Sequence, residues 1–481
     1  MWPYVAGFIG GLLAAGMAAA GESYWRRRRR TKWIPQELQR FFRVKDSSRL
    51  QVLQKSFPRH MAPDAKRGLD QWLAEQGLAA RLVGVPITES FINTTGLSAL
   101  MAPQGESWYQ VSSVEYESFD VGGDAPMECP KHALWLLDGG DAKLALFWTY
   151  GTHRVGCNWV ERLRIEAGFV MDSPGSGLAD QVLARLEEAV HSGHAYRGQV
   201  LSLGGEDDYR GNASGVTVHR LRPVARQEII LPEPTLALLE RNVVRFAEQR
   251  PRLRKFGMST RKGLLFYGPP GTGKTHSIHY LINVLQGHTT LLITAEQIGS
   301  ITEYMTLARL LEPCLVVIED VDLIARRRDE SGVGEQCLLN RLLNEMDGLR
   351  PDSAITFVLT TNRPDALEAA LAARPGRIDQ AIEFPLPDAA GREQLIKLYA
   401  SGASIAPEVV ASAVRQTEAV SASFIKELMR RAVQFHLECR PDAESAIILQ
   451  NDVDQAIEEM LWSGGPLNRA LLGAGEGREQ P

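Results

Sequence analysis

The stretch that decides the fold of this chain is GPPGTGKT at residues 268–275. It follows the apolar run GLLFY at 263–267, which predicts a short buried strand, and it precedes residues 276–285, whose apolar side chains recur at helical spacing. A strand, a glycine-rich turn and a helix are the context in which GxxxxGK[ST] forms a phosphate-binding loop. The candidate binding residues are Gly268, Pro269, Pro270, Gly271, Thr272, Gly273, Lys274 and Thr275.

The chemistry of this loop suits a nucleoside triphosphate. Glycines let successive backbone N–H groups face a phosphate, and the helix N-terminus adds a partial positive charge. We expect Lys274 to reach the β- and γ-phosphates and the Thr275 hydroxyl to bind Mg²⁺. An ordinary Gly-Pro turn before a helix is the alternative, and it does not account for Lys-Thr standing in register with both flanks.

Acidic and amide side chains follow two later apolar runs. Glu319 and Asp320 come directly after CLVVI at 314–318, and Asn362 closely follows ITFVLT at 355–360. The carboxyl ends of strands in an α/β sheet are where a Mg²⁺ ligand and a base for an attacking water are presented. The sequence therefore predicts that the two acids fill these roles and that Asn362 holds the water or the γ-phosphate by hydrogen bonds.

Two arginines lie three residues apart in AARPGRID at 372–379. Arg374 and Arg377 on one turn suit the neutralisation of phosphate charge, either within one subunit or across an interface. Taken alone they would be ordinary solvated arginines, so their interpretation depends on the motifs around them.

Together these motifs resemble the AAA family of ATPases. EMDGL at 345–349, TNRP at 361–364 and RPGR at 374–377 stand in the order and spacing of that family, and the resemblance covers about residues 228–462. It implies a P-loop core with a helical lid, ATP and Mg²⁺ as cofactors, and a homo-oligomeric ring, usually a hexamer. The arrangement is also similar to AAA translocases that move the folded Rieske protein across the mitochondrial inner membrane, and the motor is similar to FtsH-type modules.

The resemblance implies a role for each acid, with one departure. Glu319 takes the metal-side position beside Thr275, and Asp320 takes the position that activates the water. The family usually has Asp-Glu where this chain has Glu-Asp, so the base is one methylene shorter. A reacting water must sit within about 2.6–3.2 Å of its base, so we expect this order to affect hydrolysis.

The remaining family positions concern neighbouring subunits and substrate. Asn362 matches the sensor of the γ-phosphate, Arg374 and Arg377 match arginine fingers acting on a neighbour's nucleotide, and Asp347 matches a position that signals between subunits. Many unfoldases of the family carry an aromatic-hydrophobic pair before a glycine in the segment after the second strand. Here Ile298 precedes that glycine and is the candidate for gripping a polypeptide, but the aromatic is missing, which argues against threading of an unfolded chain.

Composition excludes several classes of protein. The 481 residues are 23% charged and 44% hydrophobic, which is ordinary for a globular protein and excludes wholesale disorder. A net charge of −5 argues against a general nucleic-acid-binding surface, so no nucleic acid is expected as a partner. The five cysteines form no CxxC pair, which indicates reduced thiols and no metal site. No HExxH occurs, so we expect the chain not to be a zinc protease.

The N-terminus carries the signal for a membrane anchor. Residues 4–21 have no charge and would span about 27 Å as a helix, near the lower limit for a bilayer core. Five arginines at 26–30 follow, which places the N-terminus outside and the ATPase domain in the cytoplasm. A cleaved signal peptide and a buried helix rich in Ala and Gly are the alternatives, and neither explains the flanking charges as well.

The fold class predicted is α/β: an αβα P-loop AAA core with a small all-helical lid, preceded by an α+β domain and one N-terminal transmembrane helix. The α+β domain shows a hairpin signal at 134–137 and 144–150, and it reads equally as an adaptor or a spacer. The predicted segments are an anchor, a basic juxtamembrane segment, the α+β domain, the AAA core, the lid and a flexible tail, at residues 1–25, 26–44, 45–225, 226–387, 388–465 and 466–481.

The sequence supports two hypotheses for function. The first is a membrane-anchored AAA ATPase that hydrolyses ATP with Mg²⁺ at subunit interfaces to remodel or translocate a protein. The alternative is a slow-turnover, nucleotide-gated switch or scaffold that assembles a ring at the membrane. A third interpretation, DNA remodelling, depends only on the arginine run, and an absence of DNA binding at low salt would dismiss it.

Overall fold

The computed structural model describes residues 33–44, 46–87, 96–101, 109–155, 158–204, 215–326, 336–365, 377–440 and 446–463. The chain divides into two compact units. The first comprises residues 1–195 and 205–215, and the second comprises residues 196–204 and 216–481.

The first unit is built on a five-stranded antiparallel sheet in the order β1-β7-β6-β5-β2. These strands are β1 (Leu50–Pro58), β2 (Ala79–Gly84), β5 (Ala133–Gly139), β6 (Ala142–Val155) and β7 (Asn158–Val170), and β3 (Tyr116–Phe119) pairs with β4 (Met127–Pro130) in a separate ribbon. The hairpin predicted from 134–137 and 144–150 is confirmed as β5 and β6.

Helices complete the first unit. They are Ile34–Phe42, Ala62–Gln76, Leu97–Met101 and Gly175–Ser192. Gly68 lets two of them approach closely, because a Cβ at this position would lie 2.4 Å from Cβ of Ala189. The strand β1 lies between the helices Ile34–Phe42 and Ala62–Gln76. Its nine residues pair along their whole length with β7, so tertiary pairing decides their conformation.

The second unit contains a seven-stranded sheet in the order β14-β10-β13-β12-β11-β8-β9. All neighbours are parallel except β8 and β9. The strands are β8 (Val200–Leu203), β9 (Val216–Val218), β10 (Lys262–Tyr267), β11 (Thr289–Ile293), β12 (Cys314–Ile318), β13 (Ile355–Thr361) and β14 (Gln380–Glu383). The central strands are buried, which explains their continuous apolar sequences.

The helices that accompany this sheet alternate with its strands. They are Glu233–Glu240, Phe246–Lys255, Lys274–Val284, Ile301–Leu310, Val321–Arg326 and Gln336–Asp347. One side of the sheet packs on a core that includes Leu264, Phe266, Ile278 and Leu281. The apolar runs at 314–318 and 355–360 form β12 and β13, within one residue of the predicted bounds.

The domain boundary predicted at residue 225 is wrong. We assigned residues 199–203 and 216–221 to the N-terminal domain, whereas β8 pairs with β11 and extends the sheet of the second unit. The chain therefore contributes two edge strands, β8 and β9, to the seven-stranded sheet. Short apolar strands do not reveal from sequence alone which sheet they will join.

The C-terminal lid contains four helices around a core of its own. The helices are Ala389–Tyr399, Pro407–Gln416, Ala422–Cys439 and Gln450–Glu458. The prediction of an all-helical lid needs correction, because β15 (Ser404–Ile405) and β16 (Ile447–Ile448) form a short parallel ladder. The last helix is capped at its start, because Oδ2 of Asp452, the third helical residue, accepts a hydrogen bond from N of Leu449 at 2.9 Å.

Across the described residues, no helix is both long enough and apolar enough to cross a bilayer. The predicted anchor at 4–21 and the arginine run at 26–30 lie outside those residues, so the anchor stays a prediction.

Candidate functional site

The phosphate loop connects the end of β10 to the helix Lys274–Val284. Gly268 has a φ of +148°, and a Cβ there would lie 2.2 Å from the carbonyl oxygen of Phe384. Gly271 and Gly273 have φ values of +74° and +99°. Because L side chains rarely adopt these conformations, the three glycines permit a loop that other residues would strain.

Lys274 lies inside this loop with its side chain largely buried. Its Nζ donates to the carbonyl oxygens of Gly268 at 2.7 Å and Pro269 at 3.0 Å. Burial lowers the pKa of Lys274, and the carboxylates of Asp320 and Asp322 oppose that shift. The described hydrogen-bond partners of Nζ are uncharged carbonyl oxygens, so the positive charge of Lys274 suits an anion such as a phosphate.

Thr275 and Glu319 meet beside the loop. The Thr275 hydroxyl donates to Oε1 of Glu319 at 2.9 Å, which joins the helix after the loop to the end of β12. A hydroxyl and a carboxylate are oxygen donors of the kind that Mg²⁺ prefers. The structure thus brings together the two residues that the sequence predicted as Mg²⁺ ligands.

Asp320 and Asn362 form the second contact at this edge of the sheet. Asn362 donates from Nδ2 to Oδ1 of Asp320 at 3.0 Å, and N of Asp320 donates to the Thr360 hydroxyl at 3.0 Å. Asp320 has a φ of +50°, which is rare for a residue with a side chain. The side chains after β12 and β13 therefore converge next to the phosphate loop, as expected for neighbouring parallel strands.

Arg377 lies at the other end of the sheet. N of Asp379 donates to the carbonyl oxygen of Gly263, and N of Gly263 donates to Oδ2 of Asp379, which fixes this turn at the start of β10. Gly268 lies five positions after Gly263, and five steps at ~3.3 Å per residue span about 17 Å. The structure does not bring Arg377 to the phosphate loop of its own chain. Arg374 lies outside the described residues.

Asp347 holds the Arg377 guanidinium in this position. Nε of Arg377 donates to Oδ1 of Asp347 at 3.1 Å, and Nη2 contacts Oδ2. The arginine side chain is 9% exposed and the aspartate side chain 48% exposed. Two positions that the sequence assigned to communication between subunits therefore bind each other within one chain.

Sequence reasoning missed two contributors to the site. Asp322 is buried and accepts hydrogen bonds from the residues at the end of β13. The lid also contacts the phosphate loop, since N of Ser423 donates to the carbonyl oxygen of Gly271 at 3.1 Å. The only sequence signal for Asp322 is that it is the third acid of EDVD at 319–322. No local pattern indicates the contact between Ser423 and Gly271.

A cavity of about 270 Å³ adjoins the phosphate loop at Thr272. Its walls come from three separated segments, represented by Ile229, Leu236, Pro387 and Gly391. The sequence could not predict this cavity, because the segments meet only when the lid folds against the core. Its size and position suit the base and sugar of a nucleotide whose phosphates lie in the loop.

The structure does not support Ile298 as a residue that grips a polypeptide. Ile298 is 2% exposed, and Tyr304 is fully buried. The Tyr304 hydroxyl accepts from N of Leu203 at 2.7 Å, and Gln297 donates to the carbonyl oxygen of Leu203 at 2.9 Å. These hydrogen bonds hold the segment after β11 against the strand β8.

Comparison with known proteins agrees with this geometry. Residues 264–386 match the family model described as ATPase family associated with various cellular activities (AAA). The chain is 32% identical to the ATP-dependent zinc metalloprotease FtsH of Thermus thermophilus, covering 48% of this chain and 38% of that protein.

Two further relatives are proteasomal. The chain is 31% identical to the 26S proteasome regulatory subunit 10B of Dictyostelium discoideum, covering 43% of this chain and 54% of that protein. It is 31% identical to the proteasome-activating nucleotidase of Thermococcus onnurineus, covering 48% of this chain and 60% of that protein. The chain thus spans between 38% and 60% of the length of these three relatives. The chain carries an AAA ATPase domain, similar to those of FtsH and of the proteasomal AAA proteins.

Proposed function

We propose that this chain is a membrane-anchored AAA ATPase that hydrolyses ATP with Mg²⁺ at subunit interfaces to remodel or translocate a protein. The observation that carries the proposal is the convergence of Thr275 with Glu319, and of Asp320 with Asn362, at one edge of the sheet beside Lys274. A cation, oxygen ligands and a carboxylate base are the parts that phosphoryl transfer to water requires.

The binding half of the site is the phosphate loop. Lys274 would exchange its bonds to two loop carbonyl oxygens for phosphate oxygens, and the helix N-terminus would add N–H donors. Thr275 and Glu319 would hold Mg²⁺, which supplies positive charge to the phosphates when bound. The cation, the hydroxyl and the carboxylate at this site are of the chemical types that a triphosphate and Mg²⁺ require.

The hydrolytic half consists of Asp320 and Asn362. Oδ1 of Asp320 already accepts a hydrogen bond from the Asn362 amide, so Oδ2 is the atom that would accept a proton from the attacking water. Asn362 orients this carboxylate and, by the same amide group, would sense the γ-phosphate. The shorter Asp side chain is therefore held by a direct contact at the place where the family usually has Glu.

The stimulating arginines would come from a neighbouring subunit. Arg377 lies about 17 Å along β10 from its own phosphate loop, which supports action on the nucleotide of another copy. A ring of identical subunits, usually a hexamer by the family resemblance, would place each Arg377 and Arg374 against the next phosphate loop. Breaking the Arg377–Asp347 pair would accompany that contact.

The anchor at residues 4–21 would place the ring at a membrane, with the ATPase domain in the cytoplasm. Removing residues 1–32 should move the protein from the membrane fraction to the soluble fraction while ATP binding persists. Membrane association of the truncated chain would contradict the anchor.

Two substitutions test the ATPase directly. We expect Lys274→Ala to abolish ATP binding, and Asp320→Asn to bind ATP normally but barely hydrolyse it, because only the second variant keeps the phosphate ligands. Fluorescent-nucleotide titration measures binding, and phosphate release measures turnover. Hydrolysis by Asp320→Asn at the wild-type rate would show that Asp320 is not the base.

A slow-turnover switch or scaffold is the second candidate, and the burial of Ile298 and Tyr304 favours it. The segment after β11 is hydrogen-bonded to β8 and exposes neither of these side chains. It therefore does not support a role in pulling on an unfolded polypeptide. Wild-type protein that assembles with ATP but shows no turnover under any condition would favour the switch and exclude the motor.

A further inference from the structure

Asp322 is a buried acid that neither the motifs nor the family resemblance assigned. It belongs to the helix Val321–Arg326, two residues after Asp320, and it is 4% exposed. A buried carboxylate is costly unless hydrogen bonds satisfy it, so its partners indicate what it does.

The partners of Asp322 belong to the end of β13. Its Oδ1 accepts from the Thr361 hydroxyl at 2.8 Å and from N of Asn362 at 3.1 Å. The Thr361 hydroxyl in turn accepts from N of Arg363 at 2.9 Å. The carboxylate therefore determines the path of the backbone through Asn362.

The sheet itself does not determine this path. The ladder between β12 and β13 ends at the pair Ile318 and Leu359, before either Asp320 or Asn362. Beyond it, the described hydrogen bonds that join the two strand ends all involve side chains. A rigid, correctly placed Asn362 thus depends on contacts outside the ladder, and Asp322 supplies the one to its backbone.

We propose that Asp322 is a positioning residue for hydrolysis: it fixes Asn362, and through the Asn362 amide it orients the carboxylate of Asp320. This role rests on the proposed ATPase function. Asp322 acts on Lys274 of the phosphate loop only through its charge, and its described hydrogen bonds all go to Thr361 and Asn362. Its effect should therefore fall mainly on the chemical step, with little change in nucleotide binding.

The first test is Asp322→Ala in the full chain. We expect kcat to fall about 10- to 100-fold, because a displacement of catalytic groups by about 1 Å has that effect. KM and the affinity for a fluorescent ATP analogue should stay within about threefold of wild type. Asp322→Asn retains an acceptor oxygen and should keep kcat within about fivefold of wild type.

A matched control separates positioning from a general loss of stability. Asp64 in the first unit is also a buried aspartate, 2% exposed, and accepts from N of Ala195 at 2.8 Å. Asp64→Ala should lower the unfolding temperature without changing kcat. If Asp322→Ala does not fold, Thr361→Val removes one of the same bonds with little change of shape and should lower kcat several-fold.

A double-mutant cycle tests the route of the effect. If Asp322 acts through Asn362, the double variant Asp322→Ala/Asn362→Ala should be no slower than Asn362→Ala alone. Additive losses, or an unchanged kcat in both Asp322→Ala and Thr361→Val, would overturn the positioning role while wild-type turnover leaves the ATPase standing. A wild-type chain without turnover would overturn the ATPase, and the positioning role with it.

Discussion

Asp320 combines a catalytic position with a left-handed backbone. Its φ of +50° costs most L residues about 1–2 kcal/mol, and Asp and Asn adopt it more readily because their short side chains bond locally. The order Glu319-Asp320 therefore places the better suited acid at the strained position. The departure from the usual family order is compatible with this backbone and with the contact to Asn362.

Exchanging the two acids tests this explanation. We expect Glu319→Asp/Asp320→Glu to lower stability by about 1 kcal/mol, since Glu gains less from the left-handed conformation. Its kcat should also fall, because the longer side chain displaces the carboxylate from Nδ2 of Asn362. Thermal unfolding and phosphate release measure the two effects. Asp320→Asn is the control that should keep the stability but lose hydrolysis, and a faster, equally stable exchanged variant would contradict the explanation.

His132 makes the first unit sensitive to acid. Its ring is 5% exposed and lies 2.8 Å from the Thr149 hydroxyl. Burial lowers the pKa of His132 to about 4, and Lys131, Arg164 and Arg59 add to the shift. The ordinary pKa of histidine is about 6.5, so between these values the unfolded chain binds a proton that the folded chain does not.

Stability should therefore fall as pH decreases from 6.5 towards 4. We expect the first unit to lose about 2 kcal/mol between pH 7 and pH 5 through this residue. Urea unfolding followed by tryptophan fluorescence reports mainly on this unit, since eight of the nine tryptophans lie before residue 160. His132→Asn cannot take up this proton, and an unchanged pH dependence in that variant would contradict the assignment.

At the scale of elements, the segment after β11 is part of the buried core of the second unit. Residues Ala295–Ser300 and the helix Ile301–Leu310 carry Ile298 and Tyr304 inward, and the bonds to Leu203 tie them to β8. Arg341 reaches the same segment from the helix Gln336–Asp347 through the Thr302 hydroxyl at 2.8 Å. The segment is therefore held on two sides.

Substitution of Ile298 should act on stability. We expect Ile298→Ala to lower the free energy of unfolding by about 3 kcal/mol, as for other large-to-small changes in a core. Glu303 is exposed in the same segment, and Glu303→Ala should change stability by less than about 0.5 kcal/mol. Denaturant unfolding measures both. An Ile298→Ala chain as stable as wild type would mean that the side chain is not part of the core.

At the scale of the whole molecule, one chain holds only part of the proposed site. The phosphate loop lies at the carboxyl end of β10, and Arg377 lies at the start of the same strand. The Arg377–Asp347 pair is half exposed on the aspartate side, so its loss should cost the fold little. Variants of either half should therefore fold and be available for complementation.

Mixing two inactive variants tests the shared site. Lys274→Ala lacks the phosphate ligand, and Arg377→Ala lacks the arginine. In a mixed ring, an interface that joins the intact phosphate loop of one variant to the intact arginine of the other should be active. Random mixing in equal amounts should restore activity to about one quarter of the interfaces, because each contact in a closed ring is heterologous.

Phosphate release measures this recovery, with each variant alone as the control. No recovery after subunit exchange, together with low activity of both variants, would mean that Arg377 does not act on a neighbouring site.

Local sequence was sufficient for the phosphate loop and for the acids after β12. A glycine pattern, a lysine and a helical repeat are adjacent along the chain, so their geometry follows from short-range backbone preferences. The strands from β10 to β13 were recognisable for the same reason, since each is an uninterrupted apolar run. The AAA resemblance depends on these local motifs.

Only the tertiary structure decided which distant groups meet. The Asp322 contact with Asn362, the lid contact at Gly271, the Arg377–Asp347 pair and the burial of Ile298 each join residues from separate elements. The placement of β8 beside β11 likewise depends on long-range pairing that a four-residue apolar run cannot specify. The sequence by itself determined the phosphate loop and the AAA motifs around it, because that information is local. How the candidate catalytic groups are held depends on side chains that only folding brings together.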